Sequence, residues 1–389
     1  MVFELSYSQL ELMQARIKFV PEGWSFSYVG KAFSIKNNLR KPISAEVREK
    51  NPGSYPYYGP TKIQGYIGSF EQDGHYALIG EDGDHFLKYE ALPMTQLVDG
   101  QCTVNNHAHI IAGTQEATRE WFYYYFMHRD IFSFLSRQGA GRFKLNKASL
   151  EKIPVLLPPL PEQKKIAAIL STWDEAISAN EDLLANSRLR KKALMQQLLT
   201  GKKRLPGFEG EWTTGLLSDI CVIKKGGALS SKDLVPGPYP VIAGGQSSPY
   251  KHNSFNFENI ITVSASGAYA GFVAHHPSRI WASDCSVISP KKTSCIDYIY
   301  QAMLVRQSHI YSLQSGGAQP HIYPRDLQTI KIGTPPLKEQ IAVAAVLSTA
   351  DEEIEALEQR INNLKLQKKA LMQQLLTGKK RVKVEPVTA

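Results

Sequence analysis

The chain has 389 residues, 43% hydrophobic and 21% charged side chains, and a formal net charge of +9. That length exceeds one ordinary core and fits two domains of about 130–150 residues plus connectors. No run approaches the ~18 consecutive apolar residues of a membrane span, and the start, MVFELSYSQLELMQ, lacks the basic and apolar regions of a signal peptide, so no membrane partner and a cytoplasmic location are expected.

A short helix is predicted over residues 4–18. Its surroundings, SQLELMQARIKFVPEGW, echo MQQLLTGKKRLPGFEGEW further on, which would seat it where a later helix tail meets the first domain. The first domain, residues 1–157, is expected to be α/β. YALIG and HAHIIAG read as strands, and REWFYYYFMHRDIFSFL reads as a buried helix. The connecting loops are rich in Gly, Asn, Ser, Tyr and Pro, the chemistry of ordered turns. They also carry side chains that read bases, because Asn or Gln pairs bidentately with adenine and Arg or Lys with guanine in a major groove. The candidates here are Lys62, Gln64 and Tyr66, then Asn105, Asn106 and His107, then Arg137, Arg142 and Lys144. Residues 1–157 hold 17 basic and 16 acidic side chains, so a polyanion would be gripped by local clusters or with a partner's help.

Residues 158–204 and 335–381 are two copies of one helix. KKALMQQLLTGKKR recurs letter for letter at Lys191 to Arg204 and Lys368 to Arg381, an offset of 177, and upstream PPLPEQKKIAAILSTWDEAI matches PPLKEQIAVAAVLSTADEEI. Pro-Pro sets an extended approach to each helix, and Gly201 and Gly378 are placed to end it. Apolar positions step by four and three, from Ile166, Leu170, Trp173 and Ile177 to Leu198, and from Val343, Leu347, Ala350 and Ile354 to Leu375. That heptad seam predicts a coiled coil. Asn180, Ser187 and Lys191 break the first copy, and Lys368 the second. The two helices are expected to pair antiparallel, separating the domains with pseudo-two-fold symmetry and setting the spacing of two reading heads. The repeated surface, with Lys191, Lys192, Met195 and Gln196 in one copy and Lys368, Lys369, Met372 and Gln373 in the other, would take two copies of one partner.

Between the helices, residues 205–334 form a second predicted α/β domain, with 10 basic and 6 acidic side chains over 212–334. NIITVSASG and GFVAH read as strands and IDYIYQAMLVRQSHIYSL as a buried helix. The candidate base contacts are Lys224, Lys225, Gln246, Ser247, Lys251, His252, Ser266, Tyr269, Gln319 and His321. Residues 382–389 are a tail.

Catalytic signatures are missing. There is no GxxxxGK[ST] phosphate loop, no GxGxxG after a strand, no Asn-Pro-Pro-Tyr or Asp-Pro-Pro-Tyr tetrapeptide and no Pro-Asp dipeptide. Glu162-Gln163-Lys164 has the ExK spacing but sits at a helix start. Cys102, Cys221, Cys285 and Cys295 show no paired spacing, so no metal site is expected.

The repeated PPLPEQ…AIL and KKALMQQLLTGKKR segments, with two unlike domains between them, resemble the specificity subunit of type I restriction-modification systems. The resemblance covers the whole layout, with the helices its specific part. It implies two target recognition domains, each reading half of an asymmetric bipartite site in double-stranded DNA. It also implies two docked methyltransferase subunits using S-adenosylmethionine, restriction subunits that join to translocate and cut, and a specificity subunit that binds no cofactor and has no catalytic centre. The competing expectation is a coiled-coil adaptor whose domains bind partners other than DNA.

Overall fold

A computed structural model describes residues 8–138, 142–245, 249–317 and 319–384. The chain divides into two compact units, residues 1–179 with 361–389, and residues 180–360. Both divisions fall inside long helices, so each unit owns one domain and half of each helix.

In unit 1, α1 (Gln9–Gln14) starts at a capping box between Ser8 and Glu11. It is shorter than the predicted 4–18. Arg16 takes a positive φ of 56° and the Ile17 amide closes back onto the Leu12 carbonyl, so the helix stops there. Next come β1 (Ser25–Tyr28), α2 (Val29–Ala32), β2 (Ser34–Ile35) and α3 (Ala45–Lys50). They are followed by β3 (Pro52–Tyr58), β4 (Ile63–Ile67), β5 (Gln72–Gly80), β6 (Thr95–Val104) and β7 (Ala108–Ala112). The sheet runs β2-β7-β5-β6-β3-β4, antiparallel except between β3 and β6. Helix α4 (Arg119–Met127) packs on it, capped by Thr118 and burying Trp121, Phe122, Tyr124, Tyr125, Phe126 and Met127. A helix apolar on nearly every side must be enclosed. It ends at Met127 instead of reaching residue 135, because His128 leaves helical geometry. The short hairpin β8 (Ser136–Gln138) and β9 (Arg142–Lys144) and helix α5 (Lys147–Glu151) lead to β10 (Pro154–Leu157), which pairs with β1 and brings the domain's ends together.

The chain then runs through α6 (Leu160–Leu198) into unit 2. There β11 (Thr213–Leu216), α7 (Leu217–Ile220), β12 (Cys221–Lys225), β13 (Tyr239–Ile242), β14 (Lys251–His252) and β15 (Ile260–Ser264) come first. Strands β16 (Val273–His276), β17 (Trp281–Ala282) and β18 (Cys285–Pro290) follow. The main sheet is antiparallel in the order β12-β18-β15-β16, beside a smaller sheet β14-β13-β17. The helix predicted over 296–313 is two helices, α8 (Ile296–Val305) and α9 (Gln307–Ser312). They are separated at Arg306, whose guanidinium donates to the Ala302 and Lys331 carbonyls. After α10 (Pro324–Gln328), β19 (Lys331–Thr334) pairs with β11, and α11 (Leu337–Leu375) begins.

The two domains are one design with different insertions. Strand order β2-β7-β5-β6 corresponds to β12-β18-β15-β16. Unit 1 inserts α3, β3 and β4 where unit 2 inserts β13 and β14.

Within each unit the two long helices pair antiparallel. In unit 1, Lys368 meets Asp174 and Arg381 meets Glu162; in unit 2, Arg188 meets Glu358 and Lys191 meets Asp351. All the heptad positions are buried or half-buried. Three polar interruptions bond across the seam: Ser187 donates to Glu353 at 2.9 Å, and Lys191 and Lys368 pair with Asp351 and Asp174. Each helix closes on a left-handed glycine, Gly201 at φ 71° and Gly378 at φ 68°. Two residues on, the amides of Lys203 and Lys380 bond back to the Gln197 and Gln374 carbonyls. Among the described residues no helix is long and apolar enough to cross a membrane.

Candidate nucleic-acid interface

Each domain is fastened to its helices by the same set of atoms. In unit 1 the Glu162 carboxylate, 3% exposed, takes two guanidinium bonds from Arg381 at 2.7 Å and the Trp24 indole N–H at 3.2 Å. In unit 2 Glu339, 1% exposed, takes Arg204 at 2.5 and 2.6 Å and Trp212 at 3.2 Å. The neighbouring glutamines repeat the pattern. Gln163 accepts from the Thr118 amide and donates to Pro158, while Gln340 accepts from Cys295 and donates to Pro335. Glu162 therefore anchors a domain; it does not serve a nuclease-like ExK centre.

The strand ends also correspond, with different side chains. Following β5, the Glu81 amide bonds to the His107 carbonyl, the Leu145 amide to Glu81 and the Gly83 amide to Phe143. Following β15, Ala265 bonds to Asp284, Ile322 to Ala265 and Gly267 to Pro320. Gly83 and Gly267 both take positive φ, 131° and 80°, a turn that suits a residue without Cβ. This three-bond crook presents Asp82, His107 and Lys144 in unit 1, and Ser266, Asp284 and His321 at the matching places in unit 2.

In unit 1 His107 Nδ1 lies 2.9 Å from Asp82, both partly exposed. Beneath them burial works against the charge of Glu81. Bonds from Arg40 and Lys144 nevertheless hold its carboxyl below the ordinary range. His109 is buried and pushed down by that burial; it accepts from Asn37 and donates to the Leu145 carbonyl, fixing a neutral ring under the crook. In unit 2 the Ser266 hydroxyl donates to Asp284, and His321 stacks on Tyr323 at 6.1 Å.

The other candidates divide by exposure. Lys62, Gln64 and Tyr66 are exposed on and beside the edge strand β4, and Asn106, Arg137, Lys224, Lys225, Lys251, Tyr269 and Gln319 are also exposed. Two expectations are corrected. Asn105 is 3% exposed, bonding Gln64 and the His107 amide, and His252 is 6% exposed, bonding the Val235 backbone; both are internal ties. Gln246, Ser247 and the side chain of Arg142 lie outside the described residues. Sequence reasoning missed Asp82 and Asp284. For Asp284 the signal was present, since the helical offset of 177 also carries His107 onto Asp284 and Lys144 onto His321.

The repeated helices present the same outer face twice. Leu189 and Leu366 occupy twin positions and stand 65% and 66% exposed, flanked by exposed Lys192 and Gln196 or Lys369 and Gln373. Four partner-surface expectations change. Lys368, 8% exposed, and Met372, 7% exposed, pack inside unit 1; Lys191 is held by Asp351, and Met195 is half-buried against the unit 2 core. Burial pushes the Cys102 thiol up to about 11 and those of Cys221 and Cys285 up to about 12, which makes all three protonated core side chains.

Residues 21–186 and 209–366 each match the type I restriction modification DNA specificity domain. A Haemophilus influenzae protein named as a type I restriction enzyme specificity subunit is 27% identical over 333 residues, 81% of this chain and 84% of that protein. A type I restriction enzyme specificity subunit from Methanocaldococcus jannaschii is 24% identical over 411 residues, 94% of each chain. The crystal structure of the S subunit of a type I restriction-modification system from M. genitalium shares the fold. Its TM-score is 0.72 at 16% identity, covering 92% of this chain and 99% of that one.

Proposed function

Because the chain belongs to the type I restriction modification DNA specificity family, matched over both of its domains, we propose that each unit reads one half of an asymmetric bipartite site in duplex DNA. Specificity subunits of this kind are non-catalytic, and chemistry lies with partner subunits. The observation that carries the reading is the crook at the strand ends. One backbone frame, held by matching hydrogen bonds in both units, carries different polar side chains in each. Unlike tips read unlike half-sites.

The twinned outer faces around Leu189 and Leu366 support docking of two methyltransferase subunits, one per face. Those subunits would hold S-adenosylmethionine, and restriction subunits would join the same assembly. Leu189→Asp and Leu366→Asp are each expected to lose one methyltransferase copy in native mass spectrometry, and the double variant both. Unchanged stoichiometry in the double variant would refute the docking face.

The DNA reading is tested on the chain assembled with its methyltransferase partner. Sequencing of methylated bases in a host carrying both genes is expected to return one motif of two unlike halves around an unread spacer. Binding to duplexes carrying that motif should weaken steeply with salt, as phosphate neutralisation requires. Sequence-independent binding, or a continuous motif, contradicts the proposal and favours an adaptor role.

A further inference from the structure

We propose that Asp284 is a base-reading residue of unit 2, accepting a hydrogen bond from an exocyclic amine, adenine N6 or cytosine N4, in the major groove. The inference rests on the DNA-reading function above and assigns its chemistry to one atom group.

Four observations converge on Asp284. First, it occupies a fixed place in the frame: its carbonyl receives the Ala265 amide as the His107 carbonyl receives the Glu81 amide. The backbone at this position is thus the same in two domains whose sequences diverge, and only the side chain differs. Second, it stands directly before β18, at the sheet end where three loops meet. Gly267 and Ala265 tie the turn after β15 to Pro320 and Ile322, and a Cβ on Gly244 would lie 3.5 Å from the Asp284 carboxylate. Third, the carboxylate is aimed. Ser266 donates to Oδ2, while no bond to Oδ1 is formed among the described residues. Fourth, no cation pairs with Asp284 among the described residues, whereas in unit 1 Glu81 is saturated by Arg40 and Lys144. A half-exposed carboxylate that is held by a hydroxyl and left without a counter-cation keeps its acceptor capacity for something outside the chain.

An ionised aspartate only accepts hydrogen bonds. Facing a major groove it favours the amines of adenine or cytosine and is repelled by the acceptor edges of guanine and thymine. Ser266 is a positioning residue: it fixes the carboxylate without touching a base. His107 holds the matching place in unit 1, with Asp82 in the role of Ser266. With Nδ1 turned to Asp82, one imidazole nitrogen, Nε2, is left for a base where unit 2 offers a carboxylate oxygen, so the two units present different groups at equivalent steps.

The test uses the complete complex with its methyltransferase partner. The wild-type motif is first mapped by sequencing methylated DNA. Binding is then measured on a set of duplexes in which each base pair of that motif is replaced in turn. Wild type is expected to penalise replacement at one adenine or cytosine of one half-site by about 10- to 100-fold. Asp284→Asn, which keeps the shape and can still take the Ser266 bond, should lose or change preference at that position alone. The other half-site should be unaffected. Ser266→Ala should blunt the same preference by a smaller factor, without moving it to another position. His107→Asn should act on the opposite half-site only. A motif unchanged in Asp284→Asn overturns the assignment. So does a loss spread over both halves in a complex whose thermal melt matches wild type. A wild-type complex with no sequence preference refutes the DNA-reading function instead, so the two failures are distinguishable.

Discussion

Unit 1 and unit 2 are closest where they meet their own helices and least alike at the far ends of their strands. At the helix end the correspondence is bond for bond. Glu162 with Arg381 and Trp24 repeats as Glu339 with Arg204 and Trp212, and the Trp121 indole donating to the Leu156 carbonyl repeats as the Tyr298 hydroxyl donating to Gly333. At the strand ends only the backbone corresponds, and Asp82, His107 and Lys144 give way to Ser266, Asp284 and His321. One chain repeats the bonds that fasten each domain to its helices and varies the side chains at the strand ends. That contrast is what supports the proposal that the unlike tips discriminate between half-sites.

That division can be broken first at the clamps. Arg204→Ala leaves the Glu339 carboxylate, 1% exposed, without its cation, and is expected to give the largest loss of stability in thermal melts. Arg381→Ala should act alike on Glu162, with a smaller loss because Arg381 is 41% exposed against 24% for Arg204. Hydrogen exchange should place the first loss in unit 2 and the second in unit 1. Equal loosening of both units by either variant would show that the clamps are not local.

A second contrast concerns acid. Burial, helped by His275, pushes His276 from its ordinary 6.5 to about 4, and Thr262 bonds its ring at 2.8 Å. The folded unit therefore holds this ring neutral while the unfolded chain protonates it. Its contribution is intact above about 6.5 and declines as pH falls from there towards about 4. His276→Gln should flatten the pH dependence of unit 2 melting in that window. A wild-type slope retained in the variant would assign the effect elsewhere.

The smallest expected effect separates the two helix ends. Both glycines are left-handed, so alanine strains both, but a Cβ on Gly378 would lie 2.2 Å from Pro21 whereas one on Gly201 would meet Trp212 at 3.4 Å. Gly201→Ala should cost about 1–2 kcal/mol from the left-handed backbone alone, and Gly378→Ala measurably more, in thermal melts followed unit by unit.

Much of this was legible before any coordinates. The heptad seam, the glycine stops and the α/β character of both domains follow from periodicity and turn chemistry, which are local properties. The extents of α1, α4 and α8 were not, because Arg16, His128 and Arg306 end those helices through backbone angles and tertiary bonds that no residue pattern announces. The candidate site was read as a list of loop residue types. That approach named His107, Lys144, Ser266 and His321, which the fold brings to the strand-end crook, but it also took in Asn105 and His252, whose polarity is spent internally. Asp284 was passed over because a lone aspartate before a strand looks like a turn former. Its meaning emerges from its match to His107 through the offset of 177.

Exchange of residues 205–334 for the corresponding domain of another family member, followed by sequencing of methylated bases, confronts the separation of shared frame from unshared tips most directly. One half of the motif should take on the donor's bases while the half read by unit 1 stays as it was. Changes in both halves, or a motif indifferent to the exchange, would mean that recognition is not divided between the units.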